Sequence, residues 1–243
     1  LLHDDVVAEA DSRRSQKAAR LIWGNQASVL VGDYLLSTAL HTLTTLGNQQ
    51  VMETISHTTT LMSKGEIMQL LRSYDSATES DYLEIITNKT ACLFAAAAKI
   101  GALFGGASSA QCEALNQYGN ALGIAFQIVD DALDYVEERG QIGKPLGQDL
   151  KERKVTLPLS RLLETANEAH TTRLRAILVQ EAVSEADIHE VVKLMQHYEV
   201  LPYTLGEARR YVEEAKAQLK HLPDGPDRVT LGHIADFVVN RDF

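Results

Sequence analysis

Apolar residues recur at intervals of three and four along almost the whole chain, and strict alternation of apolar and polar residues is rare. That interval places apolar side chains on one face of an α-helix, whereas a half-buried strand needs a period of two. The sequence therefore predicts an all-α fold. The predicted helices cover residues 20–46, 49–73, 79–104, 108–138, 155–167, 171–181, 185–197, 203–220 and 227–241.

Length and composition fit one large helical domain across residues 1–243. Two stretches, 93–103 and 121–129, are apolar almost all round and belong inside a helical bundle. Their small residues either let neighbouring helices pack tightly or leave an elongated apolar cavity, and both interpretations stay open at this point.

Composition excludes several classes of protein. The net charge of −10 argues against a nucleic-acid-binding protein. Cys92 and Cys112 lack the spacing of a metal site, so we expect reduced core residues. No stretch reaches the roughly 18 uninterrupted apolar residues of a membrane span, and no basic-then-apolar leader opens the chain, so we expect a cytosolic protein.

Three aspartates, Asp130, Asp131 and Asp134, directly follow the apolar stretch 121–129. Residues i and i+4 share a helix face with Cβ atoms about 5 to 6 Å apart, so Asp130 and Asp134 can bind one cation from the same side. Gln127 lies three residues before Asp130 and can add an amide to that site. A solvated acidic helix end is the alternative, but the apolar surroundings favour a compensating cation.

A second acidic pair, Asp4 and Asp5, lies at the start of the chain. Ala8 stands where a carboxylate four residues after Asp4 would complete the pattern. The pair Arg13 and Arg14 follows, and adjacent guanidiniums are suited to bidentate contact with diphosphate oxygens.

Residues 143–154 form a loop rich in glycine and cations. Glycine gives backbone freedom, and Lys144 and Lys154 supply charges that can bind phosphate. The spacing fails the P-loop pattern, so nucleotide binding is not supported. Taken alone, a loop of this kind is more often a solvated connector than a phosphate-binding site.

Together these motifs resemble those of the trans-isoprenyl diphosphate synthases, specifically the medium- and long-chain polyprenyl diphosphate synthases of the octaprenyl and solanesyl type. Residues 1–14 resemble the first aspartate-rich motif of that family and residues 126–134 the second. The loop at 143–159 also fits, as do Gly65-Glu66 with Gln69 and Lys89-Thr90.

The resemblance implies an isoprenoid-synthase-like helical bundle around a deep central cavity. Asp4 and Asp5 on one side and Asp130, Asp131 and Asp134 on the other would hold three magnesium ions with a bound diphosphate. The implied substrate-binding residues are Arg13, Arg14, Lys89, Lys144 and Lys154. The implied catalytic residues are Lys89 and Lys154, which would neutralise the departing pyrophosphate, and Thr90 and Gln127, which would lie beside the allylic cation.

The implied reaction is the magnesium-dependent, head-to-tail condensation of isopentenyl diphosphate with an allylic diphosphate of the farnesyl type. The product would be a longer trans-polyprenyl diphosphate for ubiquinone or menaquinone side chains. The resemblance also implies a homodimer, with residues 27–46 as the interface, and peripheral contact with a membrane during product release. We expect no nucleic-acid partner and no transmembrane segment.

This sequence departs from the family pattern at several positions. Ala8 replaces the last aspartate of the first motif, Ser15 replaces a glycine, and Arg153 stands where glycine often precedes the lysine aligned with Lys154. The family's upstream helices, with a segment that binds isopentenyl diphosphate, are not part of this sequence.

These departures motivate an alternative, a catalytically impaired partner subunit of a heteromeric prenyl synthase. A terpene cyclase is disfavoured by the cationic loop and the arginine pair.

Overall fold

Helices make up nearly all of the regular structure. The computed structural model describes residues 2–8, 11–13, 16–72, 78–136, 146–154, 156–180 and 182–240. The elements are α1 (Leu2–Val7), β1 (Ser12–Arg13), β2 (Gln16–Lys17), α2 (Ala19–Thr45), α3 (Gln49–Leu71), α4 (Glu79–Ile86), a π-helix (Thr87–Ala91), α5 (Cys92–Phe104), α6 (Ser109–Leu133), α7 (Gln148–Lys151), α8 (Leu157–Thr165), α9 (Glu168–Leu178), α10 (Glu185–His197), α11 (Val200–Gln218), a 3-10 turn (Leu219–His221) and α12 (Pro226–Val239).

The predicted all-α fold is confirmed, and the differences are local. The helix predicted at 79–104 consists of α4, the π-helix and α5 in continuous succession. The helix predicted at 108–138 ends at Leu133, and the four-residue helix α7 was not predicted. The antiparallel pairing of β1 with β2 joins only two residues on each side. Such short elements carry too little periodicity to be found in a sequence.

The chain divides into two compact units, residues 1–54 and 55–243. The single domain expected across 1–243 therefore stays a prediction. In the first unit, α1 packs against α2. The Ser28 hydroxyl donates to the carbonyl oxygen of Leu2 at 3.2 Å, and His3 Nε2 lies 2.9 Å from Asp33 Oδ1. Gly32 makes room for His3, since a Cβ there would lie 2.4 Å from the imidazole Cε1.

Helix α6 is the centre of the second unit and packs along both α5 and α11. It begins with a capping box, in which the Ser108 hydroxyl accepts from the Gln111 backbone and the Gln111 side chain accepts from Ser108. A Cβ at Gly119 would lie 2.4 Å from the Phe94 carbonyl oxygen, and one at Gly123 would lie 2.6 Å from Ala91 Cα. At this level of the bundle, the small residues serve tight packing and not a cavity.

A hydrophobic cluster holds the short helix α7 in place. Leu150 of α7 is fully buried together with Tyr135, and both pack with side chains of α8, α9 and α10. Burial of a leucine side chain contributes about 1.5–3 kcal/mol, which is enough to hold a short helix that could not form alone. Residues 148–154 are thus held at a defined place beside α6.

Two further expectations can be compared with the structure. Cys92 and Cys112 are both buried and neither forms a disulfide, as predicted. Among the residues that the structure describes, no helix combines the length and the apolar character needed to cross a membrane.

The glycine contact between α5 and α6 makes a testable prediction. Gly119→Ala forces a Cβ against the backbone of α5, so we expect it to lower the free energy of unfolding by about 1–3 kcal/mol. Gly101→Ala is the matched control, because a Cβ there meets nothing within 4 Å and should be neutral or stabilising by about 0.5–1 kcal/mol. Urea unfolding followed by circular dichroism measures both variants. Equal stability of the two would contradict the tight contact.

Candidate active site

A polar cavity of about 110 Å³ lies within the second unit. Helices α3, α4 and α6, the π-helix and the segment around α7 all contribute to its wall. Its lining side chains are Gln69, Tyr82, Ile85, Ile86, Lys89, Thr90, Gln127, Asp130, Asp131, Asp149, Lys154 and Thr156. Apart from the two isoleucines and the ring of Tyr82, the lining is polar or charged, so the cavity is suited to a charged or strongly polar ligand.

The π-helix at Thr87–Ala91 brings Lys89 and Thr90 to this cavity. A π-turn widens the helix by one residue and is frequent at functional sites. Helix α3 approaches this turn closely at Gly65, where a Cβ would lie 2.7 Å from the backbone nitrogen of Lys89. The Lys89 ammonium contacts Glu66 Oε1 at 2.8 Å and donates to Gln69 Oε1 at 3.0 Å.

A chain of hydrogen bonds joins the π-helix, α6 and α4. Thr90 Oγ1 donates to Gln127 Oε1 at 2.8 Å, and Gln127 Nε2 donates to Asp131 Oδ1 at 2.7 Å. The hydroxyl of Tyr82 donates to the other carboxylate oxygen, Asp131 Oδ2, at 2.8 Å. The predicted pair Thr90 and Gln127 thus lies side by side, with a predicted metal ligand next to it.

Burial perturbs the carboxyl groups of this site. The pKa of Asp131 rises to about 8, chiefly because the group is buried and then because Asp149 lies near, and the bonds from Gln127 and Tyr82 offset only part of this. The pKa of Asp149 is also raised, first by burial. Asp130 is exposed, lines the cavity and makes no hydrogen bond or ion pair with any described residue.

This acidic group fits a divalent cation that brings oxygen ligands with it. Mg²⁺ is usually bound through one or two carboxylates together with substrate phosphates, not by an all-protein cage. Among the described residues, no group of three His, Cys, Asp or Glu side chains is placed to hold a metal ion by itself. A cation beside Asp130 and Asp131 would offset the cost of ionising the buried carboxyl groups.

Asp134 has a different environment from its neighbours in the motif. Its Oδ1 accepts from the backbone N–H of Gln148 at 3.1 Å and its Oδ2 from that of Asp149 at 2.8 Å. Burial, followed by the charge of Asp149, raises its pKa to about 6. Asp134 does not line the cavity. Its role as a metal ligand stays a prediction, whereas its contact with the start of α7 is plain.

Lys154 lies at the far end of the α7 segment and lines the cavity. Its ammonium contacts Asp149 Oδ1 at 3.2 Å and Glu152 Oε2 at 2.5 Å. Burial works against the charge of Lys154, but these two acids outweigh it and raise the lysine pKa.

The preceding residue, Arg153, has φ of +56°, in the left-handed region that favours glycine. This backbone conformation explains why a glycine suits that position in the family pattern.

The remaining predicted residues belong to the first unit or lie outside the described residues. Asp5 is buried, and the backbone N–H of Ala8 donates to the carbonyl of Asp4 at 2.8 Å. Residue 8 therefore lies one helical turn after Asp4, and its alanine side chain is exposed. Arg13 is part of β1. Arg14 and Lys144 lie outside the described residues, as does Ser15.

The sequence model of the Polyprenyl synthetase family matches residues 1–195. The chain belongs to this family. The predicted resemblance is thereby confirmed, and so is the predicted enzyme class, a transferase of prenyl groups.

Relatives within the polyprenyl synthetase family cover this chain almost completely. It is 38% identical to the octaprenyl diphosphate synthase of Escherichia coli K12, over 100% of this chain and 75% of that protein. It is 30% identical to component 2 of the heptaprenyl diphosphate synthase of Bacillus subtilis 168, over 100% of this chain and 69% of that protein.

Solved structures of family members have the same fold. The decaprenyl diphosphate synthase of Rhodobacter capsulatus matches with a TM-score of 0.92 and 40% identity, over 99% of this chain and 74% of that one. A polyprenyl synthase of Caulobacter crescentus CB15, complexed with calcium and isoprenyl diphosphate, matches with a TM-score of 0.92 and 39% identity over 99% and 74% of the two chains.

Several residues of this site carry no assigned role in the sequence interpretation. Asp149 and Gln69 belong to recognised motifs, and their position in those motifs could have identified them. Tyr82 had no such signal, because its contact with Asp131 spans 49 positions of the chain.

The raised pKa of Asp131 makes a prediction for the metal-free protein. Between pH 3.8 and about 8 the folded protein retains a proton that the unfolded chain has lost. Raising the pH through this window therefore lowers stability, by at most about 1.4 kcal/mol per pH unit for one group. Asp131→Asn should flatten the dependence, whereas Asp227→Asn, at an exposed position of α12, should keep it. Urea unfolding in EDTA at pH 5, 6.5 and 8 measures this; parallel curves for wild type and Asp131→Asn would contradict it.

Proposed function

We propose that this chain is a polyprenyl diphosphate synthase that adds isopentenyl units head to tail to an allylic diphosphate, such as farnesyl diphosphate. One observation carries the proposal. A single cavity of about 110 Å³ combines the carboxyl groups of Asp130 and Asp131, the ammonium groups of Lys89 and Lys154, and the Thr90–Gln127 pair. The longer trans-polyprenyl product would serve quinone side chains.

The two lysines would stabilise the pyrophosphate leaving group. Breaking the allylic carbon–oxygen bond produces an allylic cation and a pyrophosphate anion, and catalysis requires fixed positive charge where the negative charge develops. Lys89 and Lys154 reach the cavity from the π-helix and from the α7 segment. Asp149 and Glu152 raise the pKa of Lys154, which favours its charged form.

Thr90 and Gln127 would stabilise the allylic cation. The Thr90 hydroxyl hydrogen is engaged by Gln127 Oε1, so Thr90 Oγ1 offers lone pairs to other groups in the cavity. Oxygen lone pairs stabilise a positive charge that develops beside them. The isopentenyl double bond then attacks the cation, and the released pyrophosphate takes the proton that is lost when the new alkene forms.

Magnesium, three ions in the family pattern, would neutralise the diphosphate and act as a Lewis acid toward its oxygens. Asp130 and Asp131 would hold it on the α6 side, with Asp134 as the remaining carboxylate of that motif. Asp4 and Asp5 would serve the first motif, and Arg13, Arg14 and Lys144 would bind diphosphate. The Caulobacter relative was solved with calcium and isoprenyl diphosphate, which supports a divalent cation together with a diphosphate ligand, without identifying the residues.

Removal of magnesium and repair of position 8 test the function directly. Purified protein with labelled isopentenyl diphosphate, farnesyl diphosphate and Mg²⁺ should give polyprenyl product, and EDTA should abolish it.

Ala8→Asp should raise turnover on the order of tenfold or more, because even outer-shell partners of metal ligands change activity by about 10–100-fold. Ala107→Asp, on the loop before α6, is a control for added charge.

The same assay separates the synthase from the impaired partner subunit. Product formed by this chain alone contradicts an obligate partner role. Absence of product from both wild type and Ala8→Asp, with and without a second synthase subunit, contradicts the proposed function.

Helix α2 supports the homodimer that the family resemblance implies. Between residues 27 and 46 it exposes large apolar side chains at helical spacing, including Leu30 at 67%, Tyr34 at 69% and Leu35 at 55% exposure. Exposed apolar patches of this kind mark association sites. We propose that a second copy of the chain covers this face in solution. A cytosolic location and membrane contact during product release stay predictions.

Substitution on this face tests the dimer. Leu30→Glu places a charge in the centre of the apolar face, which is costly to bury, and should convert the dimer to a monomer at micromolar concentration. Val229→Glu, at an exposed apolar position of α12, is the matched control and should stay dimeric. Light scattering coupled to gel filtration gives the mass. Wild-type protein that runs as a monomer would contradict the dimer itself.

A further inference from the structure

Gln69 has a defined orientation at the wall of the cavity. Its Oε1 accepts from the Lys89 ammonium at 3.0 Å. An ammonium group can only donate, so the carbonyl end of the amide must face Lys89 whichever way the amide is built. The Nε2 end makes no hydrogen bond with any described residue. Gln69 therefore offers two unused N–H donors in a cavity that already contains two ammonium groups.

The Lys89 ammonium that Gln69 accepts from is itself held by α3. Glu66, one helical turn before Gln69 on α3, contacts the same ammonium through Oε1 at 2.8 Å and through Oε2 at 3.0 Å. Gly65 allows α3 to lie against the backbone of Lys89. Glu66 itself does not line the cavity, whereas Gln69 and Lys89 both do. Glu66 thus contacts Lys89 from outside the cavity, whereas Gln69 contacts it from within the cavity wall.

We propose that Gln69 is a diphosphate-binding residue, whose Nε2 donates to a phosphate oxygen while its Oε1 accepts from Lys89. The proposal rests on the function proposed above and adds a neutral donor to the lysines. An amide and an ammonium joined by a hydrogen bond present adjacent donors to one anionic group. Donors to phosphate oxygens form charge-assisted bonds, which are about twice as strong as neutral ones.

Two variants separate this role from mere support of Lys89. In Gln69→Glu a carboxylate replaces the amide, so the side chain still accepts from Lys89 but has no donor and repels a phosphate. In Gln69→Ala both contacts are lost. If Gln69 only supports Lys89, Gln69→Ala should be the worse of the two, because it alone loses that contact. If Gln69 donates to the ligand, Gln69→Glu should be the worse of the two.

The experiment measures binding of magnesium pyrophosphate by calorimetry and the KM and kcat for farnesyl diphosphate. We expect Gln69→Glu to raise the dissociation constant and KM about tenfold or more, and Gln69→Ala to raise them by a smaller factor. Gln196→Glu, at an exposed position of α10, adds the same charge away from the cavity and should leave both constants unchanged. Circular dichroism and melting temperature confirm that each variant folds.

The outcomes distinguish the two proposals. Wild type that binds and elongates normally, together with Gln69→Glu that binds pyrophosphate equally well, overturns the role of Gln69 and leaves the proposed function intact. Wild type that neither binds magnesium pyrophosphate nor makes product overturns both. A larger loss in Gln69→Ala than in Gln69→Glu would assign the residue to support of Lys89 and overturn its contact with diphosphate.

Discussion

Asp131 is a carboxyl group with 5% exposure near the end of α6, and its demand for hydrogen-bond donors determines how the neighbouring side chains are oriented. In its ionised form it can only accept, so Tyr82 and Gln127 must both donate to it. Gln127 then turns its Oε1 toward Thr90, which donates in turn. With a pKa raised to about 8, the group ionises readily at neutral pH only when positive charge is near. The charge of Asp131 is thus linked, through Gln127, to the direction in which the Thr90 hydroxyl points.

Such an arrangement requires that α4, α6 and the π-helix keep fixed separations, and close backbone contacts supply that rigidity. Gly123 lets α6 lie against Ala91 at the end of the π-helix, and Gly65 lets α3 lie against Lys89 at its middle. Each contact leaves no room for a Cβ, so the two helices cannot shift without losing van der Waals contact. The buried residues that surround the site therefore influence the chemistry by fixing the distances between the polar side chains of the cavity. None of them carries a reactive group.

Sequence patterns predict those parts of the structure that show helical periodicity over many residues or that belong to a recognisable motif. The long helices, the second acidic motif and the Lys89-Thr90 pair belong to that class. The π-helix was missed because an i→i+5 turn inside a continuous helix leaves the apolar spacing almost unchanged. Helix α7 has only four residues and depends on burial of Leu150, which is a tertiary effect. Tyr82 was missed because a tyrosine among the apolar positions of a helix is ordinarily a core residue.

The role of Asp134 shows why the spacing of a motif does not by itself define what each member does. Asp134 is one turn after Asp130, which suggests a shared cation, yet its two oxygens accept the backbone N–H groups of Gln148 and Asp149. Its own carbonyl also accepts from the N–H of Gly147 at 2.9 Å. These three bonds attach the α7 segment to the end of α6. Because that segment carries Asp149 and Lys154 into the cavity, the last aspartate of the motif places an acid and a cation that lie far along the chain from it.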